Sequence, residues 1–518
     1  RHRRVITPLM DRIMKDRSSN SYQRRRPSSK SRETSSEAGT GRLGQVTGLL
    51  KQVLTWREAA DTVLSRYFRE NRALGARDRS QVADAIFDVL RHLRRYRHDA
   101  QSWPGNHEQA LAIRGLYNSL DEASRLLVLD ADQQAWANHG ASIDQASLAF
   151  GLRYSLPDWI EQTVRTLPEP QSYAAALLKG ASVDLRVNTL KGTRDDVLAQ
   201  IQRQLEGSGF EAHAMTYSPD GIRLTGHPPI NRWELFEQGV IEVQDEGSQL
   251  LAHLVAPKRG EMVIDFCAGA GGKTLALGAL MRSTGRLYAF DVSAARLARA
   301  KPRFARSGLS NVHPVVIRNE RDDRVARLAG KAHRVLVDAP CTGLGTLRRN
   351  PDLKWRQTPA SLARLCQEQA NILTQAAKCV RPGGRLVYAT CSFLPEENEQ
   401  QIERFLENHP DFALLNATDC LGSDLKKGSD AAQDDGVERT STKHNPIERS
   451  DMLRLRPDWH GTDGFFAAVL QRAAQVVEQT TPQETSDETR KETPKVKPEV
   501  TPEVEPEVTS EVKPEGKP

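Results

Sequence analysis

Val335-Leu336-Val337-Asp338-Ala339-Pro340-Cys341-Thr342-Gly343 sets the frame for the whole chain. Three consecutive apolar residues, two of them β-branched, read as a strand buried inside a parallel sheet. A carboxylate, a proline and a thiol leave its C-terminal end together. In open α/β sheets that end is where ligands bind. The pattern recurs where Arg385-Leu386-Val387-Tyr388 runs into Ala389-Thr390-Cys391-Ser392. Two thiols at one edge of one sheet, Cys341 and Cys391, with Asp338 beside the first, are the candidate reacting groups. The competing reading of each thiol is an inert packed cysteine, since free Cys packs well. That reading is the one adopted for Cys366, Cys379 and Cys420.

Outward from these stretches, further strands are expected at Met262 to Phe266, Arg286 to Phe290, Val312 to Ile317 and Phe465 to Leu470. Helical patterns separate most of them, so residues 239–475 should form a mostly parallel, doubly wound α/β sheet. Residues 416–460 are polar and read as a surface insertion. Upstream, Val183 to Asn188 alternates as a half-buried strand. A helix through Val197, Ile201 and Leu205 and a short strand at Ile222-Arg223-Leu224 follow. Residues 156–238 are therefore a small α/β subdomain. Residues 46–155 are helical, with Leu49, Leu50 and Val53, then Val82, Ile86, Val89 and Leu93, at three- and four-residue spacing. The second of these helices ends in Arg91, Arg94, Arg95 and Arg97, expected on an exposed flank. They would meet either RNA phosphates or the helix's own negative pole.

Charge is unevenly spread over the 518 residues, whose net value is +6. Residues 1–50 carry 12 Lys/Arg against 4 Asp/Glu, and residues 476–518 carry 6 against 11. Residues 1–45 read as a disordered basic arm and 476–518 as a disordered low-complexity tail. A basic arm on a mildly basic body suggests a polyanionic partner; a merely solvated tail is the other reading. All six cysteines lie after residue 260 and none form a C-x-x-C pair. No metal spacing and no secreted disulfide framework are expected, and a reducing cytoplasm fits. No apolar run approaches the ~20 residues of a membrane span, so no membrane partner is expected.

The first strand of the large domain leads into Asp265-Phe266-Cys267-Ala268-Gly269-Ala270-Gly271-Gly272-Lys273-Thr274. Glycines there let backbone approach a ligand, and free N–H groups at a helix start face it. A phosphate-binding P-loop needs Gly where Cys267 stands. The dinucleotide fingerprint needs Gly where Thr274 stands. The third reading is an S-adenosylmethionine loop, whose partner is an acid after the second strand that binds ribose hydroxyls; a plain tight strand–helix turn is the competing one. Asp291 occupies that place.

These residues, together with Leu185-Arg186-Val187-Asn188-Thr189-Leu190, Val243-Gln244-Asp245-Glu246-Gly247-Ser248-Gln249, Arg349-Asn350-Pro351-Asp352, Pro395-Glu396-Glu397-Asn398 and Asp463-Gly464-Phe465-Phe466, carry a resemblance. Over about residues 45–472 the chain resembles bacterial RNA (cytosine-5)-methyltransferases of the RsmB/NOL1/NOP2/Sun family. The resemblance implies a Rossmann-like class I methyltransferase domain, preceded by an all-α NusB-like RNA-binding domain and a small RRM-like α/β subdomain. It implies S-adenosyl-L-methionine as cofactor, 16S ribosomal RNA as partner, and a monomer. Cys391 would be the nucleophile adding to cytosine C6. Cys341 would assist loss of the C5 proton or release of the adduct. Read without the resemblance, the two thiols are not ranked. Asp338 would meet the cytosine N3/N4 edge and neighbour the cofactor. Cys267, Ala268, Gly269, Ala270, Gly271, Gly272, Lys273, Asp291 and Asn319 would surround the cofactor. Asn319 stands where relatives often have Asp, and Gly269-Ala270 where they often have Ala-Pro. Lys273 is a candidate source of positive charge for a thiolate. Arg348, Arg349 and Lys354 are candidate RNA contacts, with Trp355 to stack a base. Arg186 and Asn188 are open to RNA binding or domain packing. The alternatives are a non-catalytic ribosome-assembly factor on the same fold and a methyltransferase acting on tRNA or DNA.

Overall fold

The computed structural model describes residues 41–421 and 450–474. The arm up to residue 40, the 422–449 part of the expected insertion and the tail from 475 lie outside them, as does the disorder expected of arm and tail.

Helices α1 (Arg42–Val53), α2 (Ala60–Glu70), α3 (Ala76–Asp99) and α4 (His107–Ser119) build the first layer. Their apolar stripes meet in one core, where Val46, Leu49 and Leu50 pack with Ile86, Leu90 and Leu93. The arginines that end α3 are a correction. Arg91 and Arg95 are buried. Arg95 donates to the Gly140 carbonyl at 2.9 Å and Arg91 to that of Arg348 at 3.0 Å. Arg94 pairs with Asp158 at 2.7 Å; Arg97 remains exposed. A flank that reads as solvent-facing is in fact clamped between neighbouring segments.

The second layer is an antiparallel sheet of order β2-β3-β1-β4: β1 (Val183–Val187), β2 (Ala212–Ala214), β3 (Gly221–Leu224) and β4 (Ile241–Val243). Helix α5 (Arg194–Leu205), capped by the Thr193 hydroxyl, lays Val197, Ile201 and Leu205 on Leu185, Ile222 and Ile241. β2 and β4 have three residues each, too few to show periodicity. The expected boundary at 238/239 is therefore corrected: β4 pairs with β1, Leu185 opposite Val243, and belongs to the small sheet.

The large sheet runs β10-β12-β9-β8-β5-β6-β7. Its parallel strands are β5 (Met262–Asp265), β6 (Arg286–Asp291), β7 (Val312–Val316), β8 (Ala332–Asp338) and β9 (Val380–Thr390). β10 (Phe412–Leu415), β11 (Met452–Leu455) and β12 (Phe465–Arg472) complete it, with β12 antiparallel to β9. β10 and β11 both pair with β12, and β11 corrects the insertion expected over 416–460, whose polarity hid a strand inside it. The chain goes outward from β5 to β6 and β7, then returns to β8 on the other side of β5. That reversal makes a topological switch point, with a crevice at the C-terminal strand ends. Asp265, Asp291, Asp338 and Thr390 end their strands there. Helix α6 (Glu246–Val255) packs Leu250, Leu251 and Leu254 on the sheet face that carries Val263, Leu336 and Val387.

Candidate active site

Parallel pairing of β8 and β9 sets Asp338 opposite Ala389, so both thiol loops leave the sheet side by side. Cys341 Sγ and Cys391 Sγ lie 3.4 Å apart. The loop after Cys341 turns back across the second thiol, where the Gly345 amide donates to the Cys391 carbonyl at 2.9 Å. A Cβ on Gly345 would lie 2.1 Å from the Gly464 carbonyl oxygen, so only glycine allows this approach. A hydrogen bond to Cys391, then burial, then the charges of Cys391 and Glu397 push the Cys341 thiol well above its ordinary pKa. Cys379 is pushed up to about 12 and Cys366 to about 11, both chiefly by burial.

Lys273, in the first turn of α7 (Gly272–Leu280), donates to Asp338 Oδ2 at 2.7 Å. Burial alone would lower the lysine's pKa, but Asp338, through charge and hydrogen bond, more than offsets this; Cys391 adds to the same side. The ammonium therefore stays charged beside the carboxylate and within the field of Cys391. Gly271 caps α7 at φ 82°, and a Cβ there would meet the Phe304 ring at 2.6 Å. Gly269 at φ 57° faces open space, with nothing closer than 4.0 Å to a Cβ.

The loop and strand ends form an acidic cradle. Asp291 accepts from the Gly269 amide at 2.8 Å and the Ser293 amide at 2.7 Å, and pairs with Arg296 at 3.0 Å. Asp265 is fully buried and accepts from the Thr274 hydroxyl at 2.7 Å, while its Oδ1 has no partner. Burial chiefly, with Asp338 nearby, pushes its carboxyl up to about 7. Burial and the same three carboxylates hold the Cys267 thiol far above its usual range, so it lines the loop as a neutral group. Three acids with an orphaned buried oxygen fit a cationic ligand such as S-adenosyl-L-methionine. Ala268 is buried and Ala270 exposed, its carbonyl accepting from Arg303. Asn319 is exposed and its Oδ1 accepts from the Arg321 amide at 3.0 Å.

Of the five candidate RNA contacts, Arg186 and Asn188 fit the domain-packing alternative, and Arg348, Arg349 and Lys354 are also held by protein partners. Arg186 is 4% exposed and donates to Gln244 at 2.7 Å, its pKa lowered to about 10 by burial. Asn188 donates to the Gly239 and Ser307 carbonyls at 3.0 and 2.9 Å, joining the two sheets' domains. Arg348 donates to the carbonyls of Gly461, Thr462 and Gly180. Arg349 bridges Asp463 at 2.6 Å and Asp245 at 3.0 Å. Lys354 is 2% exposed and donates to the Arg91 carbonyl at 2.6 Å. Trp355 donates to the Leu90 carbonyl at 2.7 Å, which directs its indole onto the helical core. These head groups serve protein interfaces, not an open groove. Among the described residues no group of side chains could hold a metal ion, and no helix is long and apolar enough to cross a membrane. Two acids acquire importance only in space: Asp265, buried at a strand end, and Glu397, quoted above within a motif but given no role.

Family models match two segments, 16S rRNA methyltransferase RsmB/F over residues 252–471 and an RsmF/B-like ferredoxin-like domain over 156–231. A probable ribosomal RNA small subunit methyltransferase B from Synechocystis sp. is 36% identical over 336 residues, covering 64% of this chain and 70% of the relative. Ribosomal RNA small subunit methyltransferase B of Sodalis glossinidius is 36% identical over 317 residues, covering 61% and 68%. A solved structure, a methyltransferase homolog protein from Pyrococcus horikoshii, is 30% identical with TM-score 0.50, covering 62% of this chain and 97% of that one. With the paired thiols, the acidic cradle and these likenesses together, the chain belongs to the RsmB/F family of 16S rRNA methyltransferases.

Proposed function

We propose that this S-adenosylmethionine-dependent RNA (cytosine-5)-methyltransferase acts on a cytosine of 16S ribosomal RNA, with Cys391 as nucleophile and Cys341 as its helper. The observation that carries it is the 3.4 Å approach of the two sulfurs beside the Lys273–Asp338 pair. Cytosine C5 is a poor nucleophile, and addition of a thiolate to C6 makes it enamine-like. Cys391 forms the S–C6 bond as the C5=C6 electron pair moves toward C5. The cofactor, when bound, supplies an electrophilic methyl group to that carbon; Asp265, Asp291 and the Gly269 turn would hold it. Cys341 then assists removal of the C5 proton by relay, passing its own thiol proton to water as it takes the one from C5. The electron pair returns to C5=C6, the S–C6 bond breaks, and Cys391 leaves as thiolate. Asp338, fixed by Lys273, orients the base through its N3/N4 edge.

The target base must leave any stack to reach the crevice. The six free cysteines fit a reducing cytoplasm. The test is methyl transfer from labelled cofactor to 16S RNA by purified protein, with the modified cytosine mapped. Cys391→Ala should abolish transfer, and Cys341→Ala should accumulate a covalent protein–RNA adduct, seen as a slow band on a denaturing gel. Adduct accumulation in Cys391→Ala instead would reverse the two roles. Transfer to tRNA alone would favour the other substrate.

A further inference from the structure

Glu397 lies in the turn after β9 and is fully buried. Its Oε1 accepts from the Thr342 amide at 2.8 Å and from Gln369 Nε2 at 2.9 Å, and its Oε2 accepts from the Thr342 hydroxyl. Thr342 is the residue directly after Cys341. Next to Glu397, Asn398 accepts from the Thr390 hydroxyl at 2.6 Å and donates to the Ser392 carbonyl at 3.0 Å. Thr390 and Ser392 flank Cys391. The Thr342 and Ser392 hydroxyls stand 3.3 Å apart, closing the link between the two loops. The Tyr388 hydroxyl, from β9, donates to the Glu397 carbonyl at 2.7 Å and fixes the turn from below.

A buried carboxylate, Glu397, therefore acts on Cys341 while the half-buried ammonium of Lys273 acts on Cys391. We propose that Glu397 is a positioning residue that tells the two thiols apart: it holds both loops in register and, by its negative charge, keeps the proton on Cys341 so that Cys391 is the sulfur that bears charge. The charged or titratable groups acting on Cys341 are Cys391 and Glu397, and Tyr388 shares its surroundings. A negative group behind Cys341 disfavours its thiolate, consistent with the upward displacement of that thiol. Of the pair's two protons, one rests on Cys341 Sγ, along the 3.4 Å line to Cys391 Sγ, and the other leaves to solvent as Cys391 ionises. This inference rests on the methyltransferase reading and deepens its assignment of roles.

The experiment is thiol alkylation by iodoacetamide across pH, read at each cysteine by peptide mass spectrometry. In the wild-type protein Cys391 should react at lower pH than Cys341; the opposite order overturns the proposal and needs no variant. Glu397→Gln removes the charge and keeps the shape. It should bring the Cys341 reactivity midpoint down by about one pH unit or more and narrow the gap between the two thiols. Glu397→Asp, which restores the charge, should recover most of the gap. A folded Glu397→Gln protein with an unchanged Cys341 profile overturns the electrostatic role. Thr342→Val cuts the hydroxyl link and keeps the carboxylate, so it should lower methyl transfer with the order of thiol reactivity kept. Reversed order with Thr342→Val also overturns the proposal. A wild-type enzyme that methylates RNA with the thiol order reversed sinks this inference alone, whereas one that methylates no RNA sinks the function.

Discussion

Lys273 is a half-buried ammonium 2.7 Å from Asp338 and within the field of Cys391. Its attraction for a negative sulfur should favour the nucleophile at neutral pH. Lys273→Gln is expected to lower methyl transfer about 100-fold near pH 7, the lower end of a typical general acid–base contribution. The sign of the pH effect follows from the lost cation: negative sulfur becomes harder to form, so the alkaline rise of the rate should move to higher pH. A rate profile measured from about pH 6 to 9 checks this, and an equal loss at every pH would mean that Lys273 only supports Asp338. The thiols were legible in sequence because each follows an apolar run that must be a strand, and period and position together fix the sheet edge. The role of Glu397 was not, because its partner Thr342 is 55 residues away. The four basic residues among the expected RNA contacts misled for a related reason. An arginine that completes a buried network and one that waits for a phosphate have the same one-letter code, and only burial separates them.

Arg349 shows what such a network does between elements. It joins the loop after the Cys341 strand to the N-cap of α6 through Asp245, and to the start of β12 through Asp463. It also donates to the Ser182 carbonyl at 2.9 Å, just before β1. A helix and one strand from each sheet thus meet at one guanidinium, whose planar fork suits several acceptors at once. Arg349→Met would leave two buried carboxylates without their cation. The expected cost is about 3–5 kcal/mol, the usual penalty for breaking one side of a buried pair. Denaturant unfolding of the variant measures it. Arg349→Lys should recover only part, since one ammonium cannot reproduce the bidentate geometry. A loss within about 0.5 kcal/mol would instead describe a solvated pair. The short strands β2 and β4 belong to this scale too: pairing with β3 and β1 creates them, and no local pattern of three residues can announce it.

Across the whole molecule, the helical layer grips the loop that carries the chemistry. Arg91 reaches the Arg348 carbonyl, Lys354 and Trp355 reach back to the carbonyls of Arg91 and Leu90, and Asp352 accepts from the Ala60 amide at 3.3 Å. That loop begins a few residues after Cys341 and touches Cys391 through Gly345. Disturbance of the helical domain should therefore reach the thiols without any change in the cofactor cradle. Lys354 gives a way to see the junction. Burial, with Arg91 adding repulsion, lowers its pKa to about 7, against about 10.4 in an unfolded chain. Between those two values the unfolded chain binds more protons than the folded one, so stability rises with pH across that window. As the pH falls through about 10 toward about 7, the folded state must increasingly hold back a proton that the unfolded chain accepts. Below the lower value both states are protonated and the slope vanishes. Lys354→Met removes the titrating group, so its melting temperature should rise less between about pH 7 and pH 9 than that of the wild type. Cofactor affinity should stay the same and methyl transfer should fall, because Met cannot donate to the Arg91 carbonyl and the loop loosens. Parallel pH–stability curves for the two proteins would show that Lys354 is not held neutral at the junction, and the grip would then rest on Trp355, Arg91 and Asp352 alone.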